Sequence, residues 1–109
     1  MTMWIGRAVM SFVLLLAAGH AEHAGALAAD VSHGKALAET WCANCHLVAP
    51  EQRQASADVP SFASIGQQPD FNPGRLALFL LDPHPKMPNL SLTRAEAADL
   101  AAYIASLKK

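Results

Sequence analysis

Cys42-Ala43-Asn44-Cys45-His46 contains the only two cysteines of the 109-residue chain. Two cysteines three apart, with a histidine directly after the second, form the C-x-x-C-H pattern that attaches c-type haem. The spacing has a geometric reason. Two thiols so placed can reach the two vinyl groups along one porphyrin edge and close thioethers. The adjacent histidine then lies beneath the ring, and a neutral imidazole is a good ligand for haem iron. A disulfide between the same cysteines would close a very short loop and constrain little of the unfolded chain. Two other chemistries compete. A thioredoxin-like redox pair requires a βαβ context, and no β-strand pattern stands out. A closed zinc site would have to recruit His33 or His84, at spacings that match no common finger.

The formal net charge is −1 with no long run of either sign, which argues against nucleic-acid binding. The length allows one small domain. The N-terminus reads as an export signal: Arg7 carries the positive charge, Ala8 to Gly19 is almost unbroken apolar sequence, and Ala26-Leu27-Ala28 supplies a small-x-small cleavage pattern. The apolar stretch is shorter than the roughly 20 residues that span a bilayer as a helix. Residues 1–28 are therefore assigned to the signal, with the cut after Ala28 or Ala29, and 29–109 to one exported, periplasmic domain with no membrane span once the signal is removed. At about 80 residues such a domain is marginal on an apolar core alone and usually needs a staple. A large apolar cofactor would supply one. Removing the signal also removes Met1, Met3 and Met10 and leaves Met87 as the only methionine of the mature part.

The elements that must position these groups are helices. Ser32 can cap a helix over about 33–41, with Leu37 and Trp41 on one face. Gly34 falls near its start, where a packing reason would offset its usual cost. The stretch from Leu47 to Asp70 is irregular, anchored by Phe62 and Ile65. Asn72-Pro73 starts a second helix, with Leu76, Phe79 and Leu80 as its stripe, and it must stop before Asp82-Pro83. The segment 82–88 holds three prolines and reads as stiff and extended. Thr93 and Glu96 form a capping box for a last helix carrying Ala97, Leu100, Ala101, Ile104 and Leu107. The expectation is an all-α fold, about three helices with long connecting loops wrapped around one haem.

On these residues the chain resembles the class I c-type cytochromes, small bacterial monohaem members in particular, over everything from about Asp30. In that family an N-terminal helix leads into C-x-x-C-H, a methionine from a proline-bearing loop is the second axial ligand, and a C-terminal helix crosses the first. The resemblance implies that Gly34, Leu100 and Tyr103 meet at that crossing and that Lys86-Met87-Pro88 is the ligand loop. The step of 41 residues from His46 to Met87 is similar to that of the small bacterial forms. Leu47 to Asp70 does not align, although Pro50 or, preferably, Pro60 would provide the carbonyl that accepts the other N–H of His46. That bond would fix which nitrogen faces iron and make the ligand more basic.

Cys42 and Cys45 are thus expected as the covalent haem attachments, and His46 and Met87 as the axial iron ligands. A thioether favours ferrous iron, and filling the sixth position leaves no open site for oxygen or peroxide, so the pattern points to one-electron transfer rather than catalysis. Core methionines mostly occupy helix faces, whereas Met87 lies between prolines. His84 is the rival sixth ligand, and its side chain is expected to point to water. His33 is expected on the solvated surface. Trp41, Pro60, Phe62, Leu76, Phe79, Leu80, Leu90, Leu100 and Ile104 are expected around the haem, excluding water. The function expected is that of a monomeric carrier in transient contact with redox proteins such as a dehydrogenase, a reductase or a terminal oxidase, with Lys86 the best-placed docking cation. The alternatives are a haem subunit dedicated to one periplasmic dehydrogenase, or an open-site peroxidase-like or gas-binding haem protein.

Overall fold

A computed structural model of the chain describes residues 28–55, 58–82 and 85–109; the export signal read over 1–28, apart from Ala28 itself, and His84 lie outside the described residues. Four helices follow one another: α1 Val31–Trp41, α2 Phe62–Gly66, α3 Pro73–Leu81 and α4 Arg94–Ser106. Among the described residues there is no strand. The fold is all-α as expected, with one helix more than the sequence reading allowed.

Each helix starts on a side-chain cap. Asp30, not Ser32, caps α1: its carboxylate accepts the His33 N–H at 2.9 Å, and Ser32 falls inside the first turn. Both are good cap residues. Asp30 has a further tie that local sequence does not reveal, since its own N–H donates to Asp99 Oδ1 of α4 at 2.7 Å. In α3, Asn72 accepts the Arg75 N–H at 2.8 Å and Pro73 occupies the first turn, where its missing donor costs nothing. The capping box of α4 is complete: the Glu96 N–H donates to Thr93 Oγ1 at 3.2 Å and the Thr93 N–H to Glu96 Oε2 at 2.8 Å.

The helix α2 corrects the reading of 47–70 as wholly irregular. Ser61 caps it by accepting the Ser64 N–H at 3.1 Å, and Ser64 Oγ donates back to the Ser61 carbonyl at 2.8 Å. Five residues are too few to display a helical period, so only the serine cap after Pro60 betrayed it.

All helix–helix packing among the described residues involves α4, which touches α1, α3 and α2. Two glycines permit the closest approaches. A Cβ on Gly34 would lie 2.0 Å from the Asp99 carbonyl oxygen, and one on Gly66 would lie 2.5 Å from that of Ile104. The core gathers Ala38 and Cys42 from the end of α1, Val48, Phe62, and Leu100, Tyr103 and Ile104 from α4. No helix among the described residues is long and apolar enough to cross a membrane.

Candidate haem site

The C-x-x-C-H stretch is wound onto the end of α1. Cys42 is the C-cap, its N–H donating to the Ala38 carbonyl. The Cys42 carbonyl then accepts two donors, Cys45 N–H at 3.1 Å and His46 N–H at 2.9 Å. One turn therefore holds both cysteines and the histidine against the helix terminus. Cys42 is buried, Cys45 is exposed, and both thiols are free. Burial pushes the Cys42 thiol up to about 11, and the neighbouring Cys45 adds to the effect. A thioredoxin-type pair needs a βαβ context, and there is no strand among the described residues.

The His46 ring is oriented by the chain segment that leads into α2. Its Nδ1 lies 2.6 Å from the Pro60 carbonyl oxygen. A carbonyl only accepts, so Nδ1 carries the proton and Nε2 keeps its lone pair for a metal. The ring leans on Phe62, with centroids 5.4 Å apart and planes at 50°. Phe62 in turn packs edge-on against Tyr103 at 6.4 Å. Two hydrogen bonds lock the same strip of chain: Phe62 N–H to the Leu47 carbonyl at 2.9 Å, and the buried Tyr103 hydroxyl to the Val48 carbonyl at 2.6 Å.

Met87 is half-buried between Lys86 and Pro88. Lys86 adopts φ 71°, the left-handed region that a lysine occupies only at a cost. The following proline keeps Met87 extended. The described part of the three-proline segment is a turn at 85–86 followed by a bend at Met87, not the extended run expected, because the chain reverses at Lys86.

The described residues contain no group of three or more His, Cys, Asp or Glu able to hold a metal ion. His33 is not simply solvated: its Nδ1 pairs with Asp99 Oδ2 at 2.7 Å. The hydrogen bond to Asp99 raises the His33 pKa, and the same bond lowers that of Asp99. The pair sits at the far end of α1 from Cys42, about 13 Å away at 1.5 Å rise per residue.

Haem suits what remains. Two thiols and one imidazole with a free nitrogen share one turn, while the Met87 thioether lies in the separate loop before α4; these are the donor types that c-type haem takes. The apolar surface suits it too. None of the residues of α3 is fully buried, although Leu76 and Leu80 rest on the core with Leu90. Phe79 is 51% exposed, and a cleft beside it is lined by Ile65, Phe71 and Leu76. Of the residues expected around a haem, Cys42, His46, Pro60 and Phe62 form one cluster. Leu100 and Ile104 are buried in the helix crossing, and Trp41, at the end of α1, is 58% exposed.

The chain is 57% identical over 96 residues to a curated cytochrome c-552 of Bradyrhizobium diazoefficiens, a match covering 88% of this chain and 92% of that one. No family model matches the sequence, and no solved structure matches it.

Proposed function

Since the chain belongs to the small c-type cytochromes, electron carriers built on haem c, we propose that it holds one haem, thioether-linked through Cys42 and Cys45, with His46 and Met87 as axial ligands. When bound, the haem supplies a one-electron ferric–ferrous couple. The chain's own residues decide how that couple behaves. Pro60 holds the imidazole through Nδ1 and so presents Nε2; this 2.6 Å bond is the observation that carries the reading. Met87 supplies a weakly donating sulfur that raises the potential and occupies the position an oxidant or gas would need. Phe62, Leu76, Phe79, Leu80, Leu90 and Trp41 keep water from the iron, which also tunes the potential.

The remaining parts of the reading concern place and traffic. Residues 1–28 act as a cleaved export signal, and 29–109 work as a periplasmic domain. Partners are redox proteins such as a dehydrogenase, a reductase or a terminal oxidase, met over a small transient interface. The exposed Lys86, next to the ligand loop, contributes to docking.

Mass spectrometry of the exported protein tests the covalent part: the mature chain is heavier by one haem. A weight equal to bare polypeptide overturns it. The ferric spectrum tests the ligands, because a low-spin state with the weak methionine–iron band supports the sulfur, whereas rapid carbon monoxide binding by the reduced protein would show an open iron.

A further inference from the structure

The turn that carries the haem-binding residues has irregular backbone, so its polar groups cannot be satisfied by helix or sheet ladders and need other partners. Leu47 and Val48 find theirs in Phe62 and Tyr103. The Ala43 and His46 carbonyls of the motif find theirs in one side chain. Gln52 Nε2 donates to the Ala43 carbonyl at 2.9 Å, to the His46 carbonyl at 3.0 Å and to the Gln54 carbonyl at 2.9 Å. Its Oε1 accepts the Val48 N–H at 2.9 Å. The amide's orientation follows from its partners: three carbonyls can only accept and one N–H can only donate, so nitrogen and oxygen are assigned without ambiguity. Two N–H groups facing three carbonyls require one shared bond, a common arrangement at such turns.

We infer that Gln52 is a positioning residue for the axial histidine, clamping the main chain of His46 to Ala43 between the two cysteines and to Val48 beyond them. The inference rests on His46 being an iron ligand. Pro60 restrains the ring of His46, and Gln52 restrains its backbone from the opposite end of the residue. Both restraints are needed, because a ring held at Nδ1 can still swing if its own Cα drifts. Gln52 belongs to none of the elements the helical pattern marks, and it is half-buried at the edge of the loop.

Two substitutions separate this role from a simple loop staple. Gln52→Leu keeps the bulk and removes every hydrogen bond. Gln52→Glu keeps the acceptor for Val48 N–H but turns a second acceptor toward the Ala43 and His46 carbonyls. Both are made in the full exported chain and studied in the haem-loaded protein, well below its unfolding midpoint. In each, the hyperfine-shifted haem-methyl signals of the ferric protein, which report the plane of the axial imidazole, should move from their wild-type pattern. The ferrous-to-ferric ratio at a fixed ambient potential should change by about threefold in Gln52→Leu, a modest effect because Gln52 acts on the ligand through the main chain and not at its ring. Wild-type signals and ratio in both variants, with only a lower thermal midpoint, overturn the inference. So does a wild-type signal pattern in Gln52→Glu beside an altered one in Gln52→Leu, which would assign the effect to Val48. If Gln52→Leu yields no haem-loaded protein, the Gln52→Glu signals decide alone. A wild-type protein whose ferric form is not histidine–methionine low-spin would instead refute the ligand assignment and leave a recognisably different failure.

Discussion

Replacing Gly34 by alanine tests the most demanding contact in the fold. The added Cβ would meet the Asp99 carbonyl oxygen at 2.0 Å, its carbon at 2.5 Å and Tyr103 Cβ at 3.0 Å. The first two are backbone atoms of α4 and cannot rotate aside. Restoring ordinary contact means moving from 2.0 Å to 3.4 Å, so α1 and α4 must part by about 1.4 Å at this point. A radial gap of that size forfeits well over half of the dispersion wells it opens. Ala38, Leu100 and Tyr103, buried at the same interface, would feel it. Overpacking of this kind costs about 1–3 kcal/mol, and the immovable neighbour places Gly34→Ala near 3. Alanine returns about 1 kcal/mol through its better helix propensity. The net loss is then about 2 kcal/mol, or roughly 8–16 °C in the thermal midpoint of a domain this size. Far-UV circular dichroism and Soret absorbance of the haem-loaded protein during heating measure it. Gly74→Ala is the internal control, since its Cβ meets only the Asn72 side-chain oxygen at 3.3 Å, and its midpoint should shift far less than that of Gly34→Ala. Equal midpoints for Gly34→Ala and Gly74→Ala would refute the close crossing.

Three further outcomes are expected. Tyr103→Phe keeps the edge-on contact with Phe62 but leaves the Val48 carbonyl unpaired, and should cost about 1–3 kcal/mol in denaturant unfolding; a change within error would show that water replaces the hydroxyl. The His33–Asp99 pair should make stability pH-dependent. Its His33 contribution is complete below the ordinary value of 6.5 and disappears as pH rises through the raised pKa of the folded state, while the Asp99 contribution is present above its ordinary 3.8 and lost as pH falls through the lowered one. The thermal midpoint of the wild type should therefore decline above pH 6.5, and His33→Asn should flatten that decline; parallel curves would assign the pH effect elsewhere. Met87→Ala should lower the reduction potential and let the ferrous protein bind carbon monoxide, read by redox titration and optical spectra, and an unchanged potential and spin state would refute sulfur ligation.

Much of this protein was written locally. The C-x-x-C-H spacing points to a c-type haem, because thioether closure and iron ligation would demand those residue types at those intervals. The starts of α3 and α4 are likewise encoded in adjacent residues: Asn72 with Pro73, and Thr93 with Glu96, satisfy helix-end donors without help from elsewhere in the chain. Local signals failed where a distant group chose the cap or where a segment was short. Ser32 was read as the α1 cap, but Asp30 takes that place, its own N–H bonded by Asp99, 69 residues away. The helix α2 was too brief to show a period, and its position against α4 depends on Gly66 meeting the Ile104 carbonyl.

The histidine's surroundings divide in the same way. His46 was expected as a ligand from its place in the motif, and Pro60 was preferred as its partner because the family resemblance supplied the role. What no pattern disclosed was the arrangement that keeps the imidazole still: Phe62 against its face, Tyr103 on the Val48 carbonyl, and Gln52 across the turn. These are contacts between segments with no regular hydrogen-bond ladder between them. A sequence records which groups can donate and accept, but in irregular backbone only the folded path of the chain decides which donor reaches which carbonyl.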